Sequence, residues 1–213
     1  AKLYVLLNEP DSALIQTSES IRIAQLQNIP EDVVAAYNQH GLIAKSLGLY
    51  DDAIVAFSEA IKLVDSSTLD KKRFGYLIGN LGACHFQKGD FDEAYNCLQI
   101  DANKSNERRQ DRESYLNAEI MLAKIDLKRK DHKLALDRLD GLMEMYESFL
   151  IPFQKLSVLE LYMQAYKLSG NKSKYESYLN QWITLTKTNT PYCQLSSPLH
   201  LKLGFVRNQH DQP

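Results

Sequence analysis

Apolar and polar residues along positions 35–63 recur with the period of an α-helix, and a tight turn interrupts them once. Ala53, Phe57 and Ala60 are spaced so that their side chains share one face of a helix. Gly48 precedes this helix, and glycine is favoured in tight turns because it adopts left-handed backbone angles without strain. The pattern therefore predicts a hairpin of two helices that pack along small side chains.

The same pattern recurs along the chain at intervals of 40 or 41 residues. A marker residue just inside each second helix is small in four cases and aromatic in the last: Ala13, Ala53, Ala94, Ala135 and Tyr175. The turn five residues before each marker holds Asn8, Gly48, Gly89, Lys130 and Gly170. The first-helix position twelve residues before each marker holds Ala1, Gly41, Gly82, Ala123 and Met163. Three positions in register predict an array of hairpins, each packed on its neighbours.

This order of small, aromatic and small residues resembles the tetratricopeptide repeat (TPR), most closely in residues 35–63 and 80–98. The resemblance implies an all-α, right-handed TPR-like α-solenoid of about five helical hairpins. The repeat is longer than the usual ~34 residues, and about six additional residues provide nearly two more turns of helix. Similar long repeats occur in bacterial signalling proteins, including quorum-sensing peptide receptors and sensory portions of two-component regulators.

We predict one repeat domain over residues 1–188 and a C-terminal extension over 189–213. The predicted units cover about 1–28, 30–66, 70–107, 111–148 and 152–188. Apolar residues alternate with others between Leu199 and Phe205, so the extension is interpreted as partly ordered or as a segment that docks on a partner. Because the first residue already falls inside a repeat, we expect the chain to be a fragment of a longer protein.

The charge balance argues against two classes of partner. The chain has 25 Lys and Arg against 27 Asp and Glu, a net charge of −2, so we predict no nucleic acid and no membrane partner for this fragment. The densest basic run, residues 104–112, contains acids and is interpreted as a solvated connection between repeats. The three cysteines have no disulfide-framework spacing, which favours a reducing cytoplasm. A periplasmic sensor domain is the alternative.

No catalytic motif is present in the sequence. It has no glycine-rich phosphate loop, no nucleophile elbow and no paired CxxC, so we predict neither an enzyme nor a cofactor. Cys84, His85 and Cys97 are the clustered soft ligands, and we interpret them as core residues with buried thiols. A zinc site is disfavoured because a fourth ligand is missing.

The TPR resemblance also implies that the first helices line a concave groove. Asn38, Asn80 and Asn117 would then offer carboxamides to the backbone of an extended peptide. Three lysines would favour a ligand with acidic groups, and three larger side chains would form apolar pockets. The predicted groove residues are Asn38, Leu42, Lys45, Tyr76, Asn80, Phe86, Asn117, Met121, Lys124, Gln164 and Lys167. The alternative is that these polar side chains are simply solvated.

The resemblance does not extend to the TPR domains that bind the C-terminal carboxylate of chaperones. Chaperone-binding TPR domains grip a C-terminal carboxylate with a set of lysine, asparagine and arginine residues, and only Asn80 matches that set here. We therefore expect a non-catalytic module that binds a protein or peptide, as the sensory or interaction part of a larger bacterial regulatory protein. A structural adaptor or homodimerisation scaffold without a small ligand is the alternative.

Overall fold

The computed structural model describes residues 10–65, 72–108 and 112–188. All regular structure within these ranges is helical, which confirms the all-α fold class. The α-helices are α1 (Pro10–Gln27), α2 (Pro30–Ser46), α3 (Tyr50–Asp65), α4 (Lys72–Lys88), α5 (Phe91–Arg108), α6 (Arg112–Lys128), α7 (His132–Tyr146), α8 (Pro152–Leu168) and α9 (Lys172–Thr188). A 3₁₀ turn spans Glu147–Phe149. The predicted first helix of the first unit and the extension over 189–213 lie outside the described residues.

The predicted turn positions adopt left-handed backbone angles. Gly48, Gly89 and Gly170 have φ values of 76°, 90° and 72°, and Lys130 takes the same conformation at 64°. After each glycine, the next backbone N–H donates to a carbonyl five residues earlier, as from Leu49 to Ala44 at 2.9 Å. This bond satisfies a carbonyl at the end of the helix. It can form because the left-handed glycine turns the following N–H back towards that carbonyl. The register predicted for these four turns is confirmed.

The basic run over residues 104–112 differs from the prediction. Helix α5 continues to Arg108, so the first half of the run is helical rather than a connection. The Lys104 Nζ lies 5.3 Å from the centre of the Phe74 ring. A lysine stem can cover apolar surface while its ammonium interacts with the face of an aromatic ring. Lys104 can therefore pack against the neighbouring helix α4 although it belongs to a charged stretch.

The chain divides into two compact units between Arg129 and Lys130. In the first unit, α2 packs on α3 and α4 on α5, and α3 and α4 join these two hairpins. Ala53, Phe57 and Ala60 are completely buried at the centre of one hydrophobic cluster. A Cβ added to Gly41 would lie 2.7 Å from the Phe57 ring, so the small first-helix residue is what lets the ring approach the α2 backbone.

A buried carboxylate lies in the core of the first unit. Asp101 in α5 is 3% exposed and accepts hydrogen bonds from Ser114 Oγ at 2.9 Å and Ser105 Oγ at 3.2 Å. Its other neighbours are Gly75 and Gly79 on α4, and a Cβ at Gly79 would overlap Asp101 Oδ2. The glycines therefore leave room for a polar group that joins α5 to α6 and lies against α4. Ser114 Oγ lies within hydrogen-bond distance of both carboxylate oxygens, at 2.9 and 3.0 Å, so neither oxygen is left without a donor nearby.

Exposed ion pairs repeat along the first unit. Lys88 at the end of α4 contacts Asp51 at the start of α3, with Nζ 2.6 Å from Oδ1. Arg129, just after α6, contacts Asp92 at the start of α5 in the corresponding way. Both basic residues and both aspartates are one repeat length apart. Each pair is solvent-exposed and contributes only about 0–1 kcal/mol to stability.

The second unit contains α7, α8 and α9. The marker Ala135 in α7 is small and completely buried, whereas the last repeat has the large markers Met163 and Tyr175, which are 4% and 9% exposed. The rings of Tyr162, Tyr166 and Tyr178 stack with centres 4.4–6.3 Å apart. Tyr162 Oη donates to Asp140 Oδ1 at 2.6 Å. Burial is the largest cause that raises the pKa of Tyr162, and this hydrogen bond is the second. Aromatic stacking therefore contributes to the contact between α8 and α9.

Candidate functional site

A cleft of about 310 Å³ lies between α2 and α4, the first helices of two successive repeats. Its lining combines four predicted groove residues with three apolar residues: Asn38, Leu42, Tyr76 and Asn80, together with Val34, Ala35 and Leu77. The α2 residues recur at helical spacing and so share one face of that helix. Val34 and Leu77 are almost fully buried, whereas Leu42 and Tyr76 are 38% and 52% exposed. The cleft thus has an apolar floor and an apolar rim.

Asn38 contributes an acceptor without a partner. Its Oδ1 is buried, and it is the only buried side-chain oxygen or nitrogen of the described residues that has no hydrogen bond. A buried polar group left without a hydrogen bond costs roughly 1–3 kcal/mol.

Asn80 and Lys45 form the other polar feature of the cleft. Lys45 Nζ donates to Asn80 Oδ1 at 2.5 Å, across the α2–α4 junction. Burial lowers the pKa of Lys45, and the nearby Cys84 opposes this shift. The ammonium is therefore half-buried and joined to the carboxamide of Asn80, instead of extending into the groove by itself.

The remaining predicted groove residues lie elsewhere. Phe86 meets Phe91 edge-on with ring centres 5.6 Å apart, and Met121 packs on the cluster around Leu122. Asn117 is exposed on α6, outside the lining of the cleft, so the cleft pairs two of the three predicted carboxamides. Lys124 is half-buried on α6, while Gln164 and Lys167 are exposed on α8 in the second unit.

The cysteine and histidine cluster has an ordinary packing role. Cys84 is completely buried in the hydrophobic cluster that contains Phe57. The His85 Nδ1 lies 3.4 Å from Asp90 Oδ2. Cys97 is half-buried, in contrast to the predicted buried thiol, and its Cβ lies 3.0 Å from where a Cβ on Gly82 would be. No group of three or more His, Cys, Asp or Glu side chains in the described ranges is arranged to hold a metal ion.

A second cleft, of about 370 Å³, lies between α8 and α9 in the second unit. Its lining includes Leu159, Leu185 and several polar side chains of α9. None of its lining residues is among the predicted groove residues. None of the α-helices described here is long and apolar enough to cross a membrane.

Comparisons with known proteins agree with this architecture. A family model of the tetratricopeptide repeat matches residues 34–63, the α2–α3 hairpin. The fold is similar to nearly identical TPR-like repeats from Podosopora anserina assigned to a kinesin light chain, with a TM-score of 0.74 and 14% identity over 89% of this chain and 92% of that one. It is similar to MamA, with a TM-score of 0.64 and 15% identity over 89% and 95% of the two chains.

A further similar structure is BtubC (BKLC) from P. vanneervenii, with a TM-score of 0.52 and 12% identity over 86% of this chain and 93% of that one. The curated proteins contain no significant match to the sequence. These identities are low, so the likeness concerns the fold. The chain therefore contains a tetratricopeptide repeat at residues 34–63 and has the fold of TPR-like repeat proteins.

Proposed function

We propose that this chain is a non-catalytic protein-interaction module that binds a polypeptide segment in the α2–α4 cleft. The observation that carries the proposal is the cleft itself, which opens between the first helices of adjacent repeats and has apolar walls with two carboxamides. Its volume lies at the lower end of the roughly 300–1,000 Å³ that is usual for ligand sites. This size suits one or two side chains of a bound segment.

The chemistry of the lining favours binding over catalysis. The residues that line the cleft carry no carboxylate, imidazole or thiol, the groups that most often transfer protons or act as nucleophiles. They offer apolar surface, whose burial stabilises a complex by roughly 25 cal/mol per Å². An exposed apolar wall with a few polar groups is typical of a recognition surface.

A second part of the proposal concerns the larger protein to which this module belongs. The long repeats support a sensory or interaction part of a larger bacterial regulatory protein, in which a segment bound in the cleft would change the state of an attached domain. Binding of a ligand to the folded state alone would raise the stability of the chain. This gain is the quantity that a binding experiment should detect first.

The test compares two leucines of similar exposure. Leu42 on the cleft rim is 38% exposed, and Leu49, outside the cleft lining, is 41% exposed. Dodecapeptides selected on the wild-type chain from a random display library should lose binding to Leu42→Glu and keep it for Leu49→Glu. Equal binding to both variants would place the recognition surface elsewhere. Circular dichroism of both variants checks that they are folded.

A structural adaptor or homodimerisation scaffold is the second candidate. Four large apolar side chains are at least half exposed near the α7–α8 connection: Met145, Phe149, Ile151 and Phe153. Clustered exposed apolar residues often mark a protein-interaction surface. Light scattering of the chain without added peptide, as a function of concentration, should show a rising mass if this surface joins two copies, and Phe153→Ser should lower it.

A further inference from the structure

We infer that the α8–α9 cleft is a docking site for the chain's own C-terminal extension, with the ring of Tyr192 inserted between Leu159 and Leu185. Tyr192 lies outside the described residues, and the occupant is therefore a segment of the same molecule instead of a separate partner. The cleft belongs to the second unit, so this inference does not depend on the binding function proposed for the α2–α4 cleft.

The first complete hairpin shows what occupies the equivalent position in another repeat. Tyr37 of α2 and Leu63 of α3 both pack against a hydrophobic cluster that contains Val33. The Tyr37 hydroxyl accepts a hydrogen bond from Gln25 Nε2 at 3.2 Å. An aromatic ring with a polar tip thus occupies this position of the repeat.

The last hairpin has the same position without the ring. Leu159 of α8 is in register with Tyr37, four residues before the first-helix marker, and Leu185 of α9 is in register with Leu63. Leu159 and Leu185 both line the cleft of about 370 Å³, and none of the described residues that line it is aromatic. The cleft therefore lies where the first hairpin has a ring.

The walls of the cleft match the chemistry of a tyrosine. Leu159 and Leu185 supply apolar surface, and the exposed side chains of Asn180 and Gln181 supply carboxamides. A carboxamide can both donate a hydrogen bond to a hydroxyl and accept one from it. A phenol buries its ring while its hydroxyl keeps a hydrogen-bond partner, so it satisfies both parts of the lining.

The C-terminal extension starts at the cleft. Thr188, the last residue of α9, is itself one of the lining residues. The helix from Gln181 to Thr188 covers about 10 Å of the cleft. The four residues that lead from Thr188 to Tyr192 can span at most about 14 Å. Asn189 and Pro191 lie within this step, and both residue types favour a change of chain direction after a helix. Tyr192 is therefore the first aromatic residue after α9 and can reach the whole cleft.

A disulfide test locates the segment in the chain of residues 1–213. Gln181→Cys lies in the cleft, and Lys187→Cys lies at an exposed position of α9 outside the lining. Both are made in a Cys97→Ser background, and Cys193 directly follows Tyr192. The readout is the rate at which oxidised glutathione links Cys193 to the introduced cysteine, measured by peptide mass spectrometry. Each rate is divided by the rate at which iodoacetamide alkylates the same introduced cysteine.

The expected order of the two rates is opposite to that of loop closure alone. Lys187 is six residues from Cys193 and Gln181 is twelve, so loop closure alone would favour Lys187→Cys by about threefold. With Tyr192 in the cleft, Gln181→Cys should react faster instead. Faster reaction of Lys187→Cys would overturn the inference, and so would a disulfide that joins two chains, since the occupant would then be a second copy.

Substitution of Tyr192 tests the ring itself. Tyr192→Ser should lower the midpoint of thermal unfolding by about 2–4 °C, because water would again reach the apolar walls of the cleft. Tyr192→Phe should retain most of the stability because the ring remains. Gln194→Ser, two residues further on, is the matched control and should leave the midpoint unchanged.

A blocked cleft distinguishes burial of the ring there from burial elsewhere. Thr184→Lys places a long charged side chain in the cleft, so Tyr192→Ser should have no further effect in that variant. Ser177→Lys, exposed on α9 outside the lining, controls for the added charge and should leave the effect of Tyr192→Ser intact. An undiminished effect in the Thr184→Lys variant would place the ring elsewhere and overturn the inference. Equal midpoints for the wild type and Tyr192→Ser would overturn it as well.

Discussion

The helices of the first compact unit meet along glycine and alanine, whereas α8 and α9 of the second unit meet along aromatic rings. Gly41 and Gly82 lie directly against side chains of the facing helices, and the marker alanines Ala53 and Ala94 are completely buried. In the second unit, three stacked tyrosines connect α8 to α9. One helical register is thus compatible with two ways of filling the space between helices.

The difference bears on where binding surfaces form. In the first unit, close packing of small residues leaves first-helix side chains such as Asn38 and Tyr76 to line a cleft. In the second unit, the cleft of about 370 Å³ lies instead between α8 and α9, the two helices of one hairpin. The two units therefore form their clefts in different places, one between successive repeats and the other within a hairpin.

The largest expected effect is the removal of the ring on which the first unit is built. Phe57→Ala should lower the free energy of unfolding by about 3–5 kcal/mol, because the cavity would lie against Gly41, which has no side chain to fill it. Urea denaturation followed by circular dichroism gives the value. Phe153→Ala, at a position 60% exposed, is the matched control and should change stability by less than about 0.5 kcal/mol.

Enlarging a marker alanine tests the close packing directly. Ala94→Leu should destabilise the chain by about 1–3 kcal/mol, since the completely buried alanine leaves no room for additional methylene groups. The same denaturation assay measures the change. An unchanged free energy of unfolding would mean that the contact between α4 and α5 tolerates large residues, as the contact between α8 and α9 does. The contrast between the two units would then disappear.

Two helical glycines should respond to alanine with opposite signs. At Gly79 a Cβ would overlap the buried Asp101 carboxylate, so Gly79→Ala should cost about 1–3 kcal/mol. At Gly141, in α7 of the second unit, nothing lies within 4 Å of an added Cβ, so Gly141→Ala should stabilise by about 0.5–1 kcal/mol through helix propensity. Thermal unfolding of both variants measures the sign of each change in stability. Equal signs would mean that the Asp101 carboxylate does not fill the space beside Gly79.

The smallest expected effect concerns the tyrosine stack. Since burial and Asp140 raise the pKa of Tyr162, the unfolded state releases this proton first as the pH rises above about 10, so stability should fall there. Tyr162→Phe should cost about 0.5–1.5 kcal/mol at neutral pH and make the alkaline loss less steep. Urea midpoints between about pH 8 and pH 11 measure both effects. An unchanged alkaline slope would exclude Tyr162 as its source.

The repeat register was predictable because its signals are local. A glycine that must be left-handed, as Gly48 and Gly89 are, lies a fixed distance from the alanine that the helix contact requires. The sequence therefore predicted the turns and buried markers, and it identified four residues that line the α2–α4 cleft. Those signals depend on backbone sterics within a single hairpin.

The missed features depend on pairs of side chains far apart in the sequence. Nothing local to Gly79 indicates that a carboxylate from the next helix will occupy the space beside it, and Lys45 has no sequence signal for its bond to Asn80. The tyrosine stack likewise joins α8 to α9 through side-chain orientations that periodicity does not encode. Helical period predicts which face a residue occupies, but not which partner it meets.

The ion pairs Lys88–Asp51 and Arg129–Asp92 bear on how such an array can grow by duplication. A copied segment that carries both a basic residue at the end of its first helix and an aspartate at the start of its second brings a partner for each neighbour. Insertion of one more such unit would then create a matching junction without any compensating substitution. The corresponding positions in the second unit are Lys133 and Ser169, so a copy inserted there would meet no such pair.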